Sequence, residues 1–285
     1  MAGKLYVVAT PIGNLNDISK RALDTLQEAD LIACEDTRQT IKLLNHYDIK
    51  TKMVSYHKFN EKDKANSLVK DLLEGKNIAL VSDAGTPCIS DPGYNLVKEA
   101  REAGVPVFGI PGASATVTAL SVSGLATTSF SFLGFLSNDT SKFNEEIDLM
   151  KDSKIRTFII YESPKRIVKL VNRLKDEFPN SMIYIASDLT KIHERGFYGS
   201  IEDVFNTIKE DENIEKGEYA LILEKCEEKN ISSEEVSLEA LIVDKMIKEN
   251  ISMKDAIKEV NDENKDIKKN DLYKASLNLK DLLNK

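Results

Sequence analysis

Glu35 and Asp36 stand side by side in the stretch CEDTR, and Asp83 and Asp91 both fall in the run SDAGTPCISDPG. A carboxylate held in a cleft can take a proton from a reacting group, which makes Glu35 and Asp36 candidate bases. Histidine is the side-chain type best suited to exchanging protons near neutral pH, which makes His57 a third candidate. Glu162, followed closely by Lys165 and Arg166, is a fourth. Each also has a structural reading. CEDTR offers an ion pair to Arg38, a lone histidine after a strand is structural or touches nucleic acid, and Glu162 has two basic neighbours for a salt bridge.

Asp83 carries a different expectation, that of organising a ligand loop. It follows the apolar run IALVS and precedes Ala84, Gly85 and Thr86, which leave little side chain between the backbone and a ligand. Glycine accepts dihedrals that other residues resist, and Pro87 and Pro92 stiffen the segment. TPIGNL (10–15) and PGASA (111–115) are loops of the same kind. Ligands bind beyond the carboxyl ends of parallel strands, so three such loops at one sheet edge make one concave site. Neither G-x-x-x-x-G-K-[ST] nor a G-x-G-x-x-G after the first strand is present, which disfavours a nucleoside triphosphate or NAD. The loops suit a ligand gripped by backbone amides and carbonyls.

These residues need strands to hold them, and the pattern supplies strands. Strand-like runs at 5–10, 30–34, 53–56, 78–82 and 105–110 alternate with helical spacing at 18–28, 38–47, 60–74 and 93–103. Such alternation predicts a mainly parallel sheet covered on both faces. After residue 111 the pattern shifts. Strands are expected at 130–136, 157–161, 182–187, 194–200 and 219–224, and helices at 141–150, 164–177 and 201–209. Ser163-Pro164 reads as an N-cap with proline at the first helical position, and Ser200 as a second cap. HERGFYGS beside MIYIAS suggests an antiparallel pair. The fold class is therefore α/β with two domains, 1–113 parallel and 114–228 mixed. A polar linker (227–237) leads to a helical, helix-turn-helix-like tail over 236–285.

The chain of 285 residues is 41% hydrophobic and 30% charged, as expected of a soluble globular protein. No apolar run approaches the ~18 residues of a membrane span, and the short apolar start reads as a strand rather than a cleavable leader. A cytoplasmic protein is expected. Cys34, Cys88 and Cys226 are far apart, and His46, His57 and His193 are scattered, so neither a metal site nor a disulfide framework is expected. A net charge of −8 argues against general coating of nucleic acid. Residues 151–175, however, hold eight basic residues against two acidic ones. Arg156, Arg166 and Lys169 belong to this stretch, which is either a phosphate-binding face or a solvated helix face. The tail holds 11 basic and 14 acidic residues from Glu227 onward, so DNA is not an expected partner.

LYVVATPIGNLNDIS, ACEDTR, VSDAGTPCISDPG, IPGASA and YESPKRI, in this order, make the chain similar to the ribosomal RNA small subunit methyltransferase I family of the tetrapyrrole-methylase superfamily. The resemblance runs over about 4–225. It implies a two-domain fold with S-adenosylmethionine, the methyl donor, in the cleft between the domains, and homodimers. The implied activity is methylation of a cytidine ribose 2′-oxygen in small-subunit ribosomal RNA, free or in the assembled small subunit. Carried over by motif, Pro11, Asp83, Ser114 and Ala115 would line the donor site from one side. Tyr161, Leu189 and the backbone at 218–220 would close it from the other. Glu35 and Lys165 are the residues assigned to catalysis, and Arg38 and His57 join the expected RNA contacts. The stretch SDLTK departs from the family pattern at Ser187 and Asp188, as HKFNE does at Lys58 and Phe59, which bears on RNA contacts rather than the fold. A relative of the same fold acting on a tetrapyrrole or another non-RNA acceptor is the competing reading. A binding factor without turnover is the third.

Overall fold

Leu5, Ile32, Ala33, Ile78, Ala79 and Leu80 are at most 1% exposed, because each lies on a short strand covered on both faces. These strands are β1 (Leu5–Val8), β2 (Leu31–Cys34), β3 (Met53–Ser55), β4 (Ile78–Val81) and β5 (Val107–Ile110). They form one parallel sheet in the order β3-β2-β4-β1-β5. The helices α1 (Lys20–Glu28), α2 (Thr37–His46), α3 (Glu61–Leu73) and α4 (Tyr94–Glu102) return the chain between them. The computed structural model describes residues 1–226, 237–264, 267 and 269–283.

Helix α5 (Ala115–Val122) follows β5 and was not marked by periodicity. Its Ala119 and Leu120 pack with Ile159, Ala186, Ala220 and Ile222 of a second sheet. That sheet comprises β6 (Phe130–Phe135), β7 (Thr157–Glu162), β8 (Met182–Ser187), β9 (Arg195–Ser200) and β10 (Tyr219–Glu224), in the order β6-β7-β10-β8-β9. Only β6 and β7 run parallel; the β8–β9 pair is antiparallel, as the adjacent runs suggested. Helices α6 (Thr140–Asp152), α7 (Ile167–Glu177) and α8 (Ile201–Lys209) cover its other face around Phe143, Ile147, Leu170, Leu174 and Val204.

The reading of Ser163 as a cap is corrected here. Its backbone N and Oγ both donate to Glu162 Oε1, at 2.6 and 3.2 Å. Residues 164–166 form a turn, and α7 begins at Ile167 with Arg166 in the cap position and no side-chain cap bond. Lys165 and Arg166 therefore precede the helix instead of opening it. Ser200 does cap α8, its Oγ accepting from Asp203 N at 3.2 Å.

Two compact units divide the chain, Met1–Cys226 and Glu227–Lys285. The second holds α9 (Leu238–Glu249), α10 (Met253–Glu263) and α11 (Lys269–Leu283) around its own core of Ile242, Ala256, Val260, Leu272 and Ala275. The polar linker expected at 227–237 lies, except for its last residue, outside the described residues. Among the described residues no helix is long and apolar enough to cross a membrane.

Candidate active site

Strand order decides where the three small-residue loops go. β1 lies between β4 and β5, so the loops leaving these strands emerge side by side at one sheet edge. Thr10 and Gly85 exchange backbone hydrogen bonds of 2.8 and 3.0 Å, and Thr86 Oγ1 donates to Ala113 O at 3.3 Å. Gly85 sits at φ +76°, which costs it little because it has no Cβ. Cys88 (φ 72°) and Ser90 (φ 65°) have no such freedom, so the surrounding bonds must hold the loop in a conformation it would not choose alone.

These loops form one wall of a cavity of about 390 Å³, a size suited to one small ligand. Ile12, residues 84–86, residues 89–91, Ser114 and Ala115 line it from the first sheet. Phe135, residues 161–164, Leu189 and residues 217–220 line it from the second. The Tyr161 hydroxyl lies 2.7 Å from that of Thr116, tying β7 to α5, and burial pushes its pKa up.

Gly13 explains how the walls approach so closely. A Cβ there would lie 2.6 Å from Lys191 Cγ, 2.8 Å from Thr190 Oγ1 and 2.9 Å from Leu189 O. Gly13→Ala must displace part of the 189–191 segment, which carries the cavity-lining Leu189. The expected result is a loss of about 1–3 kcal/mol in stability and weaker binding of S-adenosylmethionine, the donor the resemblance implies. Calorimetric titration alongside thermal melts checks both. An unchanged donor affinity would mean that the two walls adjust independently.

Of the residues assigned by motif, Ser114, Ala115, Tyr161 and Leu189 line the cavity, and Pro11 and Asp83 do not. Asp83 is turned to β2, where its Oδ1 accepts from Asp36 N at 3.0 Å. Asp36 in turn caps α2 and is held by Arg38 at 2.6 Å, which depresses its carboxyl to about 2. That carboxylate is committed to structure. Glu35 is half-buried just outside the cavity, and burial together with Asp83 raises its pKa. Lys165 is exposed on the turn before α7 and does not line the cavity.

Asp91 is the carboxyl that sequence reasoning left without a role. It lines the cavity, and burial and then the charge of Glu35 raise its pKa to about 6. The other cavity carboxylates are engaged by cations, Glu162 by Arg166 at 3.0 Å and Glu218 by Lys191 at 2.9 Å. No ion pair to Asp91 exists among the described residues. The signal was present in SDAGTPCISDPG, but only strand order brings Asp91, Ser82 and Glu35 together.

The expected RNA contacts scatter over the surface. Arg38, in the first turn of α2, has a side chain 87% exposed, and His57 follows β3 close enough to Glu35 to act on its charge. Arg156 pairs with Glu224 at 3.1 Å, while Arg166 and Lys169 lie at the start of α7.

Comparison with known proteins decides the family. The model of the Tetrapyrrole (Corrin/Porphyrin) Methylases matches residues 4–204. The ribosomal RNA small subunit methyltransferase I of Halalkalibacterium halodurans is 48% identical over 238 residues, covering 84% of this chain and 81% of that one. The chain belongs to the tetrapyrrole methylases, and within them to the ribosomal RNA small subunit methyltransferase I family. The Vibrio cholerae protein of the same name is likewise 48% identical, over 77% of this chain and 76% of its own length. Among solved structures, uroporphyrin-III C-methyl transferase from Thermus thermophilus, complexed with S-adenyl homocysteine, superposes with a TM-score of 0.55. It shares 19% identity over 78% of this chain and 97% of that chain, which shows the common fold.

The cavity fits the methyl donor of this family. One wall is backbone and small side chains at 84–86 and 114–115, Ile12 and Leu189 supply apolar surface, and Asp91 offers a carboxylate to a cationic ligand.

Proposed function

We propose that the chain is an S-adenosylmethionine-dependent methyltransferase acting on a cytidine ribose 2′-oxygen in small-subunit ribosomal RNA. The observation that carries this is the cavity built by TPIGNL, SDAGTP and PGASA, with one lining carboxyl, Asp91, in no ion pair among the described residues. The relatives' ribosomal substrate supports the choice of acceptor. When bound, S-adenosylmethionine supplies an electrophilic sulfonium methyl group.

The protein's own work is to orient and to move one proton. Residues 84–86, Ser114, Ala115 and 217–220 hold the donor, with Tyr161 and Leu189 as walls; Pro11 and Asp83 support the loops from behind. Holding the reactants in line is worth roughly 7–11 kcal/mol. Asp91 accepts the hydroxyl proton as the oxygen–methyl bond forms, and Glu35 acts through Asp91 by keeping it basic. Lys165, at the rim, meets the RNA. Arg38, His57, Arg156, Arg166 and Lys169 contact phosphates, which position without reading sequence. A homodimer in the cytoplasm, with lobes 1–113 and 114–228 closing on the donor, completes this reading.

Labelled methyl transfer to small ribosomal subunits lacking the modification, followed by digestion to nucleosides, tests it. Label is expected in 2′-O-methylcytidine. Donor binding with no label in any nucleoside would move the acceptor to a small molecule or a protein.

A further inference from the structure

A second, smaller pocket adjoins the cavity. It is lined by Ser137, Asn138, Arg166, Lys169 and Arg173, with Phe143 and Leu170 beneath, and Glu162 forms a wall of both. We propose that it takes one phosphodiester group of the substrate RNA, next to the nucleotide being methylated. This rests on the function proposed above and adds where the chain of the substrate is gripped.

The pocket's volume is about 70 Å³. At ~30 Å³ per water it has room for roughly two waters, far less than a nucleoside needs. Its polar groups are donors. Arg166 sits in the cap position of α7 and Lys169 and Arg173 lie on the helix itself, the Ser137 hydroxyl can donate, and the Asn138 amide offers two more N–H groups. The one anion, Glu162, is paired with Arg166 and accepts hydrogen bonds from Ser163 N and Oγ.

Pairing separates Arg173 from the other arginines of this part of the chain. Between residues 114 and 226, Arg156, Arg166 and Arg195 each face a carboxylate, at 3.1, 3.0 and 2.5 Å. Arg173 does not: its Nη2 donates to the neutral Asn144 Oδ1 at 3.3 Å, and its guanidinium carbon lies 3.3 Å from the Phe143 ring centroid. Among the described residues Lys169 has no carboxylate within ion-pairing reach either. Two cations without counter-charge, aimed into a recess that shares a wall with the donor cavity, are what an anion leaves unfilled. The cation–π contact with Phe143 and the bond to Asn144 also restrain the Arg173 head group, so less freedom is lost when it binds.

Lys169→Gln and Arg173→Gln test this on the full chain, with salt dependence as the readout. Each variant should raise the KM for small subunits several-fold with kcat within twofold. Donor affinity should not change. The slope of log KM against log salt should fall by about 0.7–0.9 for each phosphate contact removed. A purely structural role for Lys169 or Arg173 would not move that slope. Variants that methylate RNA with the wild-type salt slope would overturn the pocket assignment and leave the function standing. A wild type that transfers no methyl to RNA would overturn both.

Discussion

Asp91→Asn is expected to slow methyl transfer by ~10²–10⁴-fold while making the protein more heat-stable at pH 7.5. The two effects have one cause. Burial and the nearby Glu35 carboxylate raise the Asp91 pKa to about 6, from ~3.9 in an unfolded chain. Between those values the native state binds more protons than the unfolded one, so stability falls as pH rises from 4 to 7. With solvent screening the penalty at pH 7.5 is on the order of 1–2 kcal/mol, and an asparagine of the same shape removes it. The same elevation makes Asp91 a useful base, because a group titrating just below the working pH is both deprotonated and willing to take a proton. The wild-type rate should climb through pH 6 and level off, and the acid limb should vanish in the variant. Thermal melts at pH 4 and 7.5 should differ in the opposite sense, with the variant gaining only at the higher pH. Full activity in Asp91→Asn, or an unchanged acid limb, would remove Asp91 from the chemistry. A matched fall in donor affinity would make it a binding residue.

The strands and most helices were legible because their residues carry the signal locally. IALV at β4 is buried throughout, and continuous apolar runs of this kind mark a sheet covered on both faces. Helix α5 escaped because it has no consistent polar face. Thr116, Ala119 and Leu120 are buried, yet Val117 and Val122 are exposed, so a 3.6-residue period is blurred. Ser163-Pro164 misled because its signals were local and the structure's answer was not. Buried Glu162 claims both donors of Ser163, which delays α7 to Ile167. The site divided the same way. Small residues in the loops pointed to a ligand, since three tight turns alone would not need to gather at one sheet edge. The sorting of carboxylates into structural Asp36, loop-supporting Asp83 and cavity-facing Asp91 depends on β4 lying between β2 and β1, which no local pattern reports.

Arg166→Ala should destabilise the protein by about 3 kcal/mol, lowering its melting temperature by roughly 6–12 °C. The Glu162 side chain is fully buried, whereas Arg166 is 32% exposed, so the carboxylate bears most of the loss. In the wild type its Oε1 accepts from Ser163 N and Oγ, and its Oε2 lies 3.0 Å from the guanidinium, which also donates to Leu136 O at 3.0 Å. Without Arg166 that buried charge keeps only the Ser163 donors, and an uncompensated buried ion costs far more than the pair was worth. The double variant Glu162→Gln/Arg166→Met should therefore recover most of the loss, and melts of the single and double variants measure the coupling directly. Because Glu162 walls both the donor cavity and the basic pocket, the recovered double variant should still bind S-adenosylmethionine while its KM for small subunits stays raised. Arg166→Ala melting within ~2 °C of wild type would show that water reaches Glu162 and that the pair is a surface contact of little weight.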